Sequence, residues 1–383
     1  MINRFKGFLY NIITFVATQG SRKLNTSPKI LLIRVDEIGD YILFRKFIMP
    51  ILTSDFCKNS TLHFCGNASW QKLFELEYGN SFSKVFWLNK NSFKSKILYR
   101  YSFLKTIFKE NYSIVINPTF SRAKRVDDTI VKAAKAGYNI GMKRNNENYE
   151  FYENNFDKTL YQSLFQPEQK LLFEFERNKL FVETIFNKSI NASLQFSNEL
   201  LQENTIDNLP ENFAVIFPGS RSKYRIWPTE NFIAVSNYLI QTQQLKILVC
   251  GSLTDKIYAE KFIQECSAAV IDFVGKTNLL QMLYILSKAK CLISVDTGSI
   301  HLAASVNCTT FGIFNGSQYG RFSPYPKAIA NNIYAVYPDA VEQDVCNNNI
   351  SQYEYVVNIP YAAVSAKKII SVIKHHFNLQ HEI

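Results

Sequence analysis

Apolar positions fall into two alternating rhythms along the chain. Short unbroken apolar runs, each a few residues long, alternate with stretches in which apolar residues recur every three or four positions. The runs are "KILLIR" (29–34), "TLHFCG" (61–66), "KVFWL" (84–88), "YSIVIN" (112–117) and "AGYNIGM" (136–142). Helical spacing fills 40–52, 67–77, 94–109 and 126–136 between them. After residue 211 the scheme repeats. Runs at 212–218, 245–251, 269–275, 291–296 and 309–314 are separated by helical stretches at 229–242, 255–266, 278–288 and 298–306. A last helix is expected near 360–376. Fully apolar strands alternating with helices predict parallel sheets covered on both faces. The expected fold class is therefore α/β, with two consecutive doubly wound halves.

Two segments interrupt the rhythm. Residues 143–170 are rich in Asn, Glu, Tyr and Phe without a period, and are read as a loop beside a binding cleft. Residues 190–211 are polar and end at Pro210, which suits a link between halves. The expected division is an N-terminal segment 1–28, a first domain 29–205, a second domain 206–360 and a closing helix 361–383. In the first segment, Phe5, Phe8, Leu9, Ile12 and Phe15 recur at helical spacing, with Arg4, Lys6, Arg22 and Lys23 around them. The run contains Asn11, is too short to span a bilayer and lacks a small-residue cleavage pattern. A basic amphipathic helix lying on an anionic membrane face is one expectation, and a helix packed on the protein's own body is the other.

Composition narrows the classes. The 383 residues are 47% hydrophobic and 20% charged, which excludes a coiled coil or a disordered tail. Lys and Arg number 43 against 32 Asp and Glu, a balance that favours anionic partners such as phosphorylated substrates or an acidic membrane face. No reader motif or interleaved basic and aromatic stripe points to nucleic acid. Seven cysteines occur without CxxC spacing, so reduced core thiols are expected and a zinc site is not.

In a doubly wound sheet, ligands bind beyond the carboxyl ends of the strands. Three loops there carry chemistry. "RVDEIGDYIL" (34–43) follows the first strand: Gly39 suits a tight turn, and Asp40 is expected at the start of the next helix, where a helix cap is the bland alternative to a catalytic carboxylate. Asp36 and Glu37 are read as loop surface. "FPGSRSKYRIWPTENF" (217–232) places Arg221, Lys223 and Arg225 just beyond the Gly219–Ser220 turn, a natural phosphate clamp. "SVDTGSIHLAAS" (294–305) sets Asp296, Thr297, Gly298 and Ser299 at a helix start, where amides and hydroxyls suit an anion, with His301 in the first turn. The chain has no G-x-G-x-x-G after its first strand, no P-loop and no G-x-S-x-G elbow.

In their order, these loops resemble the lipopolysaccharide heptosyltransferases of glycosyltransferase family 9. "ILLIRVDEIGDYIL" is similar to that family's ILxIRxDxIGDxxL opening. "FPGSRSKYRIWPTENF" is similar to its PG…KxWPxExF segment. Residues 272–317 resemble its closing stretch, from GxTxLxExxALI through DTGxMHxAAA to P…LFG. The resemblance covers residues 29 to about 326. It implies a GT-B fold, two Rossmann-like doubly wound domains facing across a cleft, with the acceptor on the first and a nucleotide sugar on the second. It implies inverting transfer of heptose from an ADP-sugar to a lipopolysaccharide core or related surface glycan, with no cofactor required. The partners would be the nucleotide sugar and an anionic glycolipid, at the cytoplasmic face of the inner membrane of a Gram-negative-type bacterium.

Carried over by position, Asp40 is the catalytic base. Arg225 neutralises the departing diphosphate, with Lys223 as an understudy. Thr297, Gly298 and Ser299 hold phosphates, Asp296 fixes their loop, and His301 matches the family's histidine. Ser220 joins the donor set beside Gly219. The chain departs from the pattern in having Arg at 225 where Lys is usual and Asn117-Pro118 where an acid is common. It also lacks an evident ribose-binding acid near 251–256, for which Asp255 and Glu260 are the candidates. A GT-B sugar-nucleotide epimerase and a non-catalytic binder of nucleotide sugar or glycolipid are the alternatives.

Overall fold

A computed structural model describes residues 2–145, 156–169, 171–202, 204–266 and 270–381. The chain divides into two compact units, Met1–Lys170 with Phe175–Ala192, and Leu171–Glu174 with Ser193–Ile383.

The first unit is built on a six-stranded parallel sheet: β1 (Lys29–Arg34), β2 (Thr61–Asn67), β3 (Lys84–Leu88), β4 (Ile114–Asn117), β5 (Tyr138–Met142) and β6 (Ser163–Phe165). Their spatial order is β3-β2-β1-β4-β5-β6. β1 lies at the centre, with Leu32 level with Phe64 on one side and Ile116 on the other. Its apolar run is buried on both faces, as an unbroken hydrophobic strand requires. On one face Leu31, Ile33, Leu104, Ile107, Val115 and Ile130 form a core. Nearby, aromatic rings pack tightly, Phe64 on Phe74 at 4.3 Å and Trp70 edge-on to Trp87 at 5.7 Å. Gly66 makes room for them, since a Cβ there would sit 2.5 Å from Trp87 and 2.8 Å from Trp70.

The second unit repeats the plan with β7 (Phe213–Phe217), β8 (Lys246–Val249), β9 (Val270–Asp272), β10 (Cys291–Val295), β11 (Thr310–Ile313) and β12 (Ile333–Val336). The order is β12-β11-β10-β7-β8-β9. Counted within the unit, this is the same 3-2-1-4-5-6 arrangement as in the first. The helix Thr229–Gln243 and the closing helix Ala366–His381 pack together over the core of Ile216, Phe232, Val235, Ile293 and Ile369. Both units are thus Rossmann-like, and the expected α/β class holds.

Several elements differ from the sequence expectation. The helix expected at 40–52 is divided into α2 (Ile38–Phe44; the helix Ile2–Ala17 is α1), a 3-10 turn at Arg45–Phe47 and a short helix Ile48–Leu52. Pro50 cannot donate to the carbonyl four residues back, so a continuous α-helix would lose a bond there. The helix expected at 94–109 breaks at Lys96, whose backbone is extended. β5 is not the last strand of its sheet: β6 emerges from the segment read as loop. β12 also escaped the sequence reading. Residues 146–155, within the expected loop 143–170, lie outside the described set. No disulfide joins the seven cysteines.

Candidate functional site

In a 3-2-1-4-5-6 sheet the chain reverses its direction of winding between the first and fourth strands, and ligands bind at that crevice. The crevice of the first unit lies beyond β1 and β4, and that of the second lies beyond β7 and β10. The proposed base and the phosphate-site residues singled out in the sequence fall on segments leaving β1, β7 or β10, whereas the ribose-acid candidates Asp255 and Glu260 follow β8.

In the first unit, Arg34 ends β1 fully buried, and its guanidinium organises the crevice. Nε pairs with the Asp36 carboxylate at 2.9 Å. Nη1 donates to the Pro118 carbonyl beyond β4 (3.2 Å), and Nη2 donates to the main-chain carbonyl of Asp40 (3.3 Å). The plane lies over the Phe44 ring at 4.6 Å. Asn178, also buried, donates to the Leu43 carbonyl at 3.1 Å. One cation thus ties the ends of two neighbouring strands to the backbone of the first turn of α2. Asp40 is the third residue of that turn, and its side chain is partly exposed. Glu37, not Asp40, occupies the N-cap position, and its side chain makes no capping bond. Gly39 lies within the helix as its second residue rather than in the turn before it.

Asp36 proves to be built into the structure rather than left on the loop surface. Its main-chain carbonyl accepts from Asn67 Nδ2 (2.9 Å) and Trp70 Nε1 (3.1 Å). Burial pushes its carboxyl well above the usual range, Arg34 opposes this, and the Asp40 and Asp127 carboxylates push it further up. Asp127 is itself raised by burial while accepting from the Ala123 amide at 2.8 Å. Glu37 pairs with Lys90 at 2.7 Å; burial lowers the ammonium, but this carboxylate outweighs it and holds Lys90 above its ordinary value. Acids therefore crowd the end of β1, with Arg34 and Lys90 as counter-charges. The sequence held one signal of this, an arginine closing an otherwise apolar strand two residues before an aspartate.

In the second unit the segment after β7 is pinned at both ends. Gly219 passes so close to Asp255 that a Cβ there would lie 2.4 Å from its carboxylate. Trp227 is buried, donates to the Val364 carbonyl at 2.7 Å and meets Phe232 edge-on. Between these points lie Ser220, whose hydroxyl accepts from the Ser222 amide (3.3 Å), the exposed Lys223 and the half-buried Arg225. Arg225 Nη1 reaches both the Asp296 carboxylate (3.3 Å) and its carbonyl (3.2 Å), joining the β7 segment to the β10 segment. Burial raises the Asp296 carboxyl, and Arg225 opposes the shift.

Beyond Asp296, three hydroxyls bond to one another: Ser294 and Thr297 each lie 2.7 Å from Ser299. Gly298 opens the helix Gly298–Ala304, with Thr297 at the N-cap. His301 is buried, its Nδ1 is hydrogen-bonded to the Tyr325 hydroxyl, and burial lowers its pKa to about 4. It is thus a neutral packed imidazole near pH 7. Asp255 spends its carboxylate on the Ser252 amide (2.8 Å) and hydroxyl (2.7 Å), and Glu260 pairs with Lys256 at 3.5 Å. Among the described residues, no three His, Cys, Asp or Glu side chains form a group able to hold a metal ion.

A family model described as glycosyltransferase family 9 (heptosyltransferase) matches residues 100–349. A lipopolysaccharide core heptosyltransferase, OpsX, of Haemophilus influenzae is 25% identical over 132 residues, 34% of this chain and 37% of that protein. Lipopolysaccharide heptosyltransferase 3 of Escherichia coli is 25% identical over 121 residues, 31% of this chain and 35% of that protein. The matches thus span little more than a third of these curated relatives. A solved glycosyltransferase family 9 structure from Veillonella parvula superposes with a TM-score of 0.65 at 15% identity, covering 93% of this chain and 98% of that one. E. coli heptosyltransferase WaaC with ADP gives a TM-score of 0.63 at 15% identity, covering 91% and 99%. These likenesses establish the fold, GT-B in its pair of Rossmann-like units.

Proposed function

Since the chain belongs to glycosyltransferase family 9 (heptosyltransferase), we propose that it is an inverting glycosyltransferase that moves heptose from an ADP-sugar to a lipopolysaccharide core or related surface glycan. One observation carries the reading: Asp40, Arg225 and Asp296 all sit on segments leaving the crevice strands of the two sheets, where this topology delivers ligand contacts. The first unit supplies the base. The acceptor hydroxyl gives its proton to the Asp40 carboxylate as its oxygen attacks the anomeric carbon, and the bond from that carbon to the diphosphate breaks. The second unit holds the leaving group. Arg225, fixed by Asp296, neutralises charge that grows on the departing phosphate, with Lys223 as a second cation and Ser220, Thr297, Gly298 and Ser299 lining the phosphate path. A pre-activated diphosphate needs no general acid, so one carboxylate suffices.

The motif's Arg34 and Asp36 give this reading its physical basis. A base works best when it is held in place before substrate arrives, and Arg34 grips the Asp40 backbone directly. Two relatives are named lipopolysaccharide heptosyltransferases, and a similar structure was solved with ADP-2-deoxy-2-fluoro heptose, which supports ADP-heptose and a core-type acceptor here. The test is incubation with ADP-heptose and a purified core acceptor, read by mass spectrometry. The expected result is an acceptor heavier by one heptose together with free ADP. An unchanged acceptor with ADP-heptose, but a modified one with a GDP- or UDP-sugar, would overturn the donor assignment. Conversion of donor alone to an epimer would overturn the transferase reading.

A further inference from the structure

The helix α1 has two apolar faces, and the protein covers only one. Ile13, Thr14 and Ala17 are buried against the helices Ile97–Lys109 and Asp127–Ala134. Tyr10 fastens this side: its hydroxyl donates to the Lys94 carbonyl, and the Arg100 guanidinium lies over its ring at 4.0 Å. The opposite side shows Phe8 65% exposed, Ile12 43%, Phe15 67% and Val16 48%. At the pitch of an α-helix these four fall within an arc of about 100°. An ordinary solvent face would be polar there.

The chain around this face is predominantly basic, and the acids nearby, Glu110, Asp127 and Asp128, are buried. Residues 1–35 contain Arg4, Lys6, Arg22, Lys23, Lys29 and Arg34 and no Asp or Glu. Residues 90–109, against which α1 packs, contain Lys90, Lys94, Lys96, Arg100, Lys105 and Lys109, again without an acid. Some of these are committed internally, as Lys90 to Glu37 and Lys23 and Lys29 to Glu110. Lys94, Lys96 and Lys109 are exposed, and beside the first two Ile97 and Leu98 are 49% and 82% exposed. No helix among the described residues is long and apolar enough to cross a membrane.

We propose that α1 docks the protein on an anionic phospholipid bilayer, with Phe8, Ile12, Phe15 and Val16 entering the boundary between headgroups and acyl chains. An exposed apolar stripe rimmed by cations is what an interfacial helix presents, and each cation near the surface adds attraction to acidic lipid. A second copy of the chain would instead bring like charges together across the same face. The proposal goes beyond the transferase reading and does not depend on it.

Vesicle co-sedimentation tests it. Wild-type protein is expected to sediment with phosphatidylcholine vesicles containing about one third phosphatidylglycerol and to bind pure phosphatidylcholine less, with anionic binding weakening as salt is raised. The double substitution Phe8→Ser, Phe15→Ser is expected to weaken anionic-vesicle binding about tenfold or more with an unchanged thermal midpoint, because both side chains face outward. Wild-type protein remaining in the supernatant would overturn the proposal, and so would a double variant that binds as tightly as wild type. Equal binding to both vesicle types would remove the anionic part. A wild-type dimer that the double substitution dissociates, with neither protein binding vesicles, would show that a second copy covers the face.

Discussion

Arg34 is the residue on which the first crevice depends. It is fully buried and contacts Asp36 and the Asp40 carbonyl on the segment after β1 and the Pro118 carbonyl beyond β4. Removing one partner of a buried ion pair leaves the other charge without compensation. Arg34→Met should therefore lower unfolding free energy by about 3–5 kcal/mol, measured as a fall in the urea midpoint at constant slope. A loss under about 1 kcal/mol would mean that Asp36 is satisfied without it. His301 offers a second check. Its folded pKa, about 4, lies below the ordinary value of 6.5, so its neutral form is favoured in the fold. The stability this contributes is present above pH 6.5 and is lost as pH falls towards 4. His301→Asn, which keeps a polar atom near Tyr325, should flatten that loss by about 3 kcal/mol relative to wild type. Comparing the two proteins cancels the opposite contributions of Asp36, Asp127 and Asp296, whose raised carboxyls bind protons in the fold. Identical pH profiles would contradict the buried neutral imidazole.

At the scale of elements, the sequence pattern was legible where apolar content alone decides. Among the described residues, ten of the twelve strands are visible as apolar runs, most clearly the central ones, since a strand buried on both faces must be apolar throughout. The two that escaped, β6 and β12, lie at sheet edges, although the edge strands β3 and β9 are legible from their apolar runs. Pro50 shows the same limit from the other side. Its neighbours keep a helical period, so only the missing donor reveals the interruption. Asp40 was placed by motif position, and the structure shifts the helix start two residues earlier than expected. Asp36 could not be judged from its own neighbourhood, because Asn67, Trp70 and Arg34 close around it from separate elements. In the second unit Trp227 does comparable work for the segment that carries Arg225. Trp227→Phe keeps most of the packing but leaves the Val364 carbonyl without its donor. The expected cost is about 1–3 kcal/mol, read from chemical denaturation, and an unchanged midpoint would show that the bond contributes nothing.

For the whole molecule, the informative feature is repetition. One strand order occurs twice, and in each case the residues with chemistry leave the strands that flank the reversal. The acidic end lies in the first unit and the cationic segment in the second, which suits a reaction that removes a proton at one place and neutralises diphosphate at another. The surplus of basic residues fits both an anionic donor and the lipid surface proposed for α1. Sugar and acceptor are less legible than fold because they are set by side chains lining the crevices, and many spacings of those side chains satisfy the same sheet. The most direct measurement is the rate of heptose transfer from ADP-heptose by wild type and by Asp40→Asn, with ADP affinity measured in parallel. The account predicts a fall of at least about a hundredfold in rate with ADP affinity preserved, whereas equal transfer by the two proteins would contradict it.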